Sequence, residues 1–126
     1  MTAATRGRAI LVVEDNPANQ MLIEAVLGGL GYAVTLASSA DEALERLEHA
    51  LPDLILMDIQ LGGQDGLALT RQLKADPETA AIPVVAVTAY AMVADRQRIL
   101  EAGCAGYISK PIDTRTLGDE IAPFFR

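Results

Sequence analysis

The 126-residue chain has no tryptophan, a single cysteine and a single histidine. One thiol, Cys104, can close no disulfide within the chain, and it excludes a cysteine-rich zinc site. Beside Gly103 it reads as a small buried hydrophobe. His49 follows Glu48 at the end of an amphipathic run, with no partners of matching type for a metal centre or a triad, and reads as a surface residue. No apolar run approaches the roughly 20 residues that a membrane helix needs. Residues 1–8 are short, polar and mildly basic and lack the apolar stretch of a secretory signal. They read as a flexible arm ahead of one domain spanning 9–126, and a cytoplasmic location is expected. Hydrophobic residues make up 51% of the chain, which excludes a disordered tail. The formal net charge of −7 disfavours contact with a nucleic acid, since like charges repel. If several carboxylates converge, the same acidity calls for a cation.

Five short apolar runs recur: Ala9–Val13, Ala33–Leu36, Leu54–Met57, Val84–Val87 and Gly106–Ile108. Most are apolar at alternate and intervening positions alike, as in parallel strands covered on both faces. Thr35, between Val34 and Leu36, marks the second run as an edge strand. Helical patterns lie between them. Asn16-Pro17 is a cap and first-turn pair, followed by Leu22, Ile23, Val26, Leu27 and Leu30 on one face and a stop at Gly31. Ser39 and Glu42 have capping-box spacing before Ala43, Leu44 and Leu47. Leu67, Thr70 and Leu73 mark a third helix that Asp76-Pro77 stops. A fourth, Ala91–Ala102, is thinly anchored by Met92, Ile99 and Leu100, and a fifth begins near Asp113 or Thr114 and carries Leu117 and Ile121. Gly118 weakens that last helix and Pro123 ends it. This fivefold βα alternation implies an α/β fold, a doubly wound five-stranded parallel sheet with right-handed crossovers.

In such a sheet the functional crevice lies beyond the carboxyl ends of the strands. Glu14 and Asp15 follow the first run, Asp58 the third, Thr88 the fourth, and Ser109-Lys110-Pro111 the fifth. Taken singly, an Asp after a strand is an ordinary turn cap and a Lys an ordinary solvated cation. The fold brings them to one edge, where three carboxylates cannot all stay ionised without compensation. A hard cation and an ammonium supply it, and oxygen donors without His or Cys select Mg²⁺. The set also suits phosphoryl transfer to a carboxylate. Asp58, emerging between the other groups, is the nucleophile.

Five segments then carry a resemblance. Leu11-Val12-Val13-Glu14-Asp15-Asn16, Leu56-Met57-Asp58-Ile59-Gln60, Asp65-Gly66, Val87-Thr88-Ala89 and Tyr107-Ile108-Ser109-Lys110-Pro111 occur in this order. Together they resemble the response regulator receiver family, whose flavodoxin-like (βα)5 sheet has strand order 2-1-3-4-5. The resemblance implies a phosphoacceptor of a two-component or phosphorelay system that takes a phosphoryl group from phosphohistidine onto Asp58. It implies Mg²⁺ on Asp15, Asp58 and the carbonyl of Gln60, with Glu14 acting through water. It implies Lys110 against the phosphoryl group, Thr88 as switch hydroxyl, Tyr107 as aromatic switch, and Gln60 and Tyr90 as tuners of phosphoryl lifetime. A cis Lys110-Pro111 peptide is also implied. The expected partners are a histidine kinase or histidine phosphotransfer protein, and a downstream protein met by the helix 4, strand 5, helix 5 face, with no nucleic acid and no membrane. Residues 14–20 resemble receivers attached to hybrid histidine kinases, and a stand-alone receiver fits as well. The pair Gly62-Gly63 stands where the family often has Pro then Gly, and the last helix is short.

Two other readings fit less well. An aspartate-nucleophile phosphatase is expected to place a second acid two residues after the nucleophile, where this chain has Gln60. A degenerate receiver that only binds proteins would not need the full set of site residues, and all are present.

Overall fold

The computed structural model describes residues 8–61, 64–89 and 93–125. Five strands, β1 (Ala9–Val13), β2 (Ala33–Ala37), β3 (Leu54–Asp58), β6 (Val84–Thr88) and β7 (Gly106–Ser109), form one parallel sheet in the order β2-β1-β3-β6-β7. Counted over the sheet alone, this is the expected 2-1-3-4-5. Two-residue strands β4 (Gln60–Leu61) and β5 (Gln64–Asp65) pair antiparallel beside it. The helices are α1 (Pro17–Gly29), α2 (Ala40–His49), α3 (Gly66–Ala75), α4 (Val93–Glu101) and α5 (Leu117–Ile121). No described helix is long and apolar enough to cross a membrane.

The period of two along each strand builds two cores, one on each face of the sheet. Leu11, Val13, Ile55, Met57, Val84 and Ala86 meet Ala43 and Leu47 of α2, Leu69 and Leu73 of α3, and Ile99 of α4. Ile10, Val12, Leu54, Leu56, Val85, Val87 and Ile108 meet Ile23 and Leu27 of α1 and Leu117 and Ile121 of α5. The inner strands β3 and β6 are buried throughout, while β2 at the edge alternates.

The helix ends follow local chemistry. The Asn16 side chain accepts from the Ala18 and Asn19 amides. Ser39 accepts from the Glu42 amide, but the Glu42 carboxylate turns to the Ser38 hydroxyl and to Arg46, so only half of the capping box forms. On α4, Ile99 is fully buried whereas Leu100 is 55% exposed, so Leu100 is not the anchor that the sequence suggested. Met92 lies outside the described residues. Ala102 and Cys104 complete this corner, and burial pushes the Cys104 thiol up, against smaller opposite effects of Thr70 and Lys74. The last helix is shorter than expected: a turn held by the Asp113 carbonyl precedes it, and a 3-10 turn, Ala122–Phe124, follows. Two aromatics compensate for its length. Phe124 packs on Gly106, and Phe125 stacks on Tyr32 at 5.3 Å with the Arg8 guanidinium 4.9 Å from its ring centre. Arg8, the last residue of the expected arm, thus contacts the fold, and its carbonyl accepts from the Ala33 amide.

Gly103 turns the chain out of α4 at φ +106°, and a Cβ there would lie 2.7 Å from Lys74 Cγ. Lys74 cannot retreat freely, because its ammonium donates to the carbonyls of Ala80 and Ile82 at 3.1 and 2.5 Å. Gly28, near the end of α1, has nothing within 4 Å of its Cβ position. Gly103→Ala should therefore destabilise the domain by about 1–3 kcal/mol. Gly28→Ala should stabilise it by about 0.5–1 kcal/mol through helix propensity. Urea unfolding of the two variants checks the pair, and equal signs would refute the account.

Candidate functional site

The carboxyl ends of β1, β3 and β7 carry Glu14, Asp58 and Lys110 at the parity of the α1/α5 face, continuing Val12, Leu56 and Ile108. The ladder persists past the strands, since the Glu14 amide donates to the Ala37 carbonyl and the Lys110 amide to the Thr88 carbonyl. The three side chains therefore converge. Lys110 Nζ lies 2.9 Å from Asp58 Oδ2 and 3.5 Å from Glu14 Oε2. One carboxylate oxygen from each of Glu14, Asp15 and Asp58 lies within 4.8 Å of the other two. Glu14 and Asp58 are each 2% exposed, while Asp15 opens to solvent. The Lys110-Pro111 peptide is cis, as expected.

Each buried oxygen is held. Asp58 Oδ1 accepts from the Gln60 amide at 2.9 Å, with the Gln60 side chain exposed. Glu14 Oε1 accepts from the Asn16 amide at 3.3 Å and from Asn19 Nδ2 at 3.1 Å. Gln20 Nε2 donates to the Glu14 carbonyl at 2.6 Å. The sequence motif had flagged Asn19 and Gln20 without giving them a task, because their contact with Glu14 depends on how α1 sets against β1. Behind Asp58, α3 begins at Gly66, whose amide donates to the Ile59 carbonyl. A side chain at Gly66 would collide with the Asp58 carbonyl oxygen and come within 2.8 Å of Ile59 Cα.

Thr88 and Tyr107 have the other parity. Thr88 is buried at the end of β6, and Tyr107 packs, half-buried, against the α2/α3/α4 core with the Arg96 guanidinium 5.4 Å from its ring centre. Tyr90 and the pair Gly62-Gly63 lie outside the described residues.

Electrostatics follow from burial. Desolvation pushes the Glu14 carboxyl up, and the adjacent Asp58 carboxylate adds to the rise, against the opposing Asn19 amide and Lys110 charge. For Lys110, burial pulls the ammonium down, but Asp58 and then Glu14 outweigh it and the net shift is upward. Its contribution to stability is complete at neutral pH and fades only above its ordinary value of 10.5.

Glu14 works in the opposite sense. With its folded pKa above the ordinary 4.5, the native state binds more protons than the unfolded one, so ionising Glu14 lowers stability as pH rises. Without divalent cations at pH 7, Glu14→Gln should melt above the wild type, and the gap should close as pH falls. A lower melting temperature for the variant under cation-free conditions would refute this.

Comparison with known proteins agrees with this geometry. The response regulator receiver domain family matches over residues 10–122. The polar-differentiation response regulator DivK of Brucella ovis is 47% identical over 105 residues, covering 83% of this chain and 85% of DivK. The receiver domain of a sensor histidine kinase from Pseudomonas aeruginosa, solved with a magnesium ion coordinated in its active site cleft, superposes with a TM-score of 0.84 at 40% identity over 94% of this chain and 97% of that one. The chemotaxis protein CheY4 of Vibrio cholerae, at 21% identity, shares the fold with a TM-score of 0.90 over 94% of this chain and 99% of its own. With the parallel sheet in the order β2-β1-β3-β6-β7 and acidic and basic side chains gathered at its carboxyl edge, the chain belongs to the response regulator receiver domains of two-component signalling.

Proposed function

We propose that Asp58 is the phosphoacceptor and that Glu14, Asp15, Asp58 and the carbonyl of Gln60 make the Mg²⁺ pocket. The observation that carries the reading is the contact of Lys110 Nζ with both Asp58 and Glu14, at 2.9 and 3.5 Å, beside the exposed carboxylate of Asp15. Three carboxylates against one ammonium leave two negative charges in oxygen donors alone, which fits a hard divalent cation. When bound, Mg²⁺ supplies charge neutralisation for the phosphoryl oxygens.

The chain's own groups do the rest. An Asp58 oxygen attacks the phosphorus of a phosphohistidine on a histidine kinase or phosphotransfer protein. The P–N bond breaks with its electron pair passing to the imidazole nitrogen, leaving an acyl phosphate on Asp58. The Gln60 amide and Lys110 each hold one oxygen of the Asp58 carboxylate, and Lys110 follows the transferred charge. Gln60 and Tyr90 tune how long the group survives. Gln60, two residues past Asp58, carries no acid for general acid catalysis, which favours a self-modifying signalling module over an enzyme with an outside substrate. The work takes place in the cytoplasm.

Phosphorylation adds about −1.5 to −2 charge at Asp58. In the switch we propose, the new oxygens recruit the Thr88 hydroxyl, and Tyr107 turns inward into the space released. Its contact with Arg96 then breaks, altering the surface of α4, β7 and α5. Arg96, Arg98 and Glu101 are exposed there and Asp113 is half-buried, a mixed-charge face suited to a protein partner and poorly suited to DNA.

With acetyl phosphate and Mg²⁺, the intact mass of the wild type should rise by one phosphoryl group and that of Asp58→Asn should not. Equal labelling of the two would overturn the assignment. Thr88→Ala should still be phosphorylated but should lose most of the response at a distance. Amide shifts with and without beryllofluoride check this: wild-type changes should reach Tyr107 and α4, and changes confined to the surroundings of Asp58 would refute the switch.

A further inference from the structure

The start of α1 directs three polar residues at Glu14, two at its buried carboxyl group and one at its backbone carbonyl. Asn16 caps the helix with its side chain and turns its own amide to Glu14 Oε1. Asn19 donates its carboxamide to the same oxygen at 3.1 Å, and Gln20 grips the Glu14 carbonyl, the group that leads into Asp15. The Asn16 side chain already takes the Ala18 and Asn19 amides, and capping does not call on the Asn19 and Gln20 side chains to reach back across the loop. The target of Asn19 is a side chain on a residue 2% exposed, whose other oxygen faces Lys110.

We propose that Asn19 is a positioning residue for cation binding: its carboxamide holds the Glu14 carboxylate at the rim of the pocket and thereby sets the affinity for Mg²⁺. The proposal rests on the reading of Glu14, Asp15 and Asp58 as the Mg²⁺ pocket. Without the Asn19 donor, Glu14 Oε1 keeps only the longer bond from the Asn16 amide, and the attraction of Lys110 for Oε2 is free to swing the carboxylate toward the ammonium and away from the cation. Hydrogen-bond partners of metal-binding groups commonly carry about 10- to 100-fold in metal affinity. Asn19 acts through Glu14, the acceptor of its carboxamide.

A double-mutant cycle separates that route from a general loosening of the helix. Mg²⁺ alone is titrated into the labelled full chain and followed by amide shifts around Asp15 and Gln60. Asn19→Ala and the similarly sized Asn19→Leu should each weaken Mg²⁺ binding about tenfold. In a Glu14→Ala background the same changes should weaken it less than twofold further. Asn19 variants that bind within twofold of the wild type would overturn the proposal, as would a tenfold loss that persists without the Glu14 side chain. A wild type that shows no Mg²⁺-dependent shifts would instead sink the cation pocket itself, and this role with it.

Discussion

Two carboxyl groups of like charge, Glu14 and Asp58, are buried side by side against one ammonium, Lys110. Water would separate these charges at little cost. The fold instead holds them at the end of the sheet and raises the proton affinity of Glu14 and Lys110. Much of the remaining architecture can be understood as holding this arrangement: the ladder that carries each strand to its last residue, the α1 turn that satisfies Glu14, and the α3 start that backs Asp58. A cluster with unbalanced negative charge and oxygen donors suits a hard cation.

The sheet's period of two sorts the site into halves. Glu14, Asp58 and Lys110 continue the face covered by α1 and α5, whereas Thr88 and Tyr107 continue the face covered by α2, α3 and α4. Of the first parity, Glu14 meets the first turn of α1 through Asn19. Groups of the second parity lead toward α4, which is held by Ile99, while its neighbour Leu100 stays in solvent.

Close approach of backbone is the second constraint. Gly66 lets α3 start hard against Asp58, and Gly103 lets the α4–β7 turn close over Lys74. Neither position admits a Cβ without movement of a held neighbour, so the loop after Asp58 and the corner beneath α4 are fixed by contacts that glycine alone permits. At the opposite end of the molecule, Phe124 and Phe125 seal a five-residue α5 that would otherwise leave β7 thinly covered.

The sequence by itself determined the fold and which polar residues gather at the sheet's carboxyl edge, because both are written in local pattern. Apolar runs of strand length, capped helices and the residues directly after each run already placed Glu14, Asp15, Asp58, Thr88 and Lys110 on one edge. The motifs around them were specific enough to point to the receiver family. Tertiary structure alone decided the pairings. Which oxygen of Glu14 meets Asn19, that Glu42 serves Ser38 and Arg46 instead of closing its capping box, and that Leu100 faces water while Ile99 is buried all depend on helix rotation and on how loops cross between elements. Hydrophobic periodicity fixes which face of an element is buried. It does not fix the direction of a polar side chain, which is chosen by the partner that the fold happens to bring within about 3 Å.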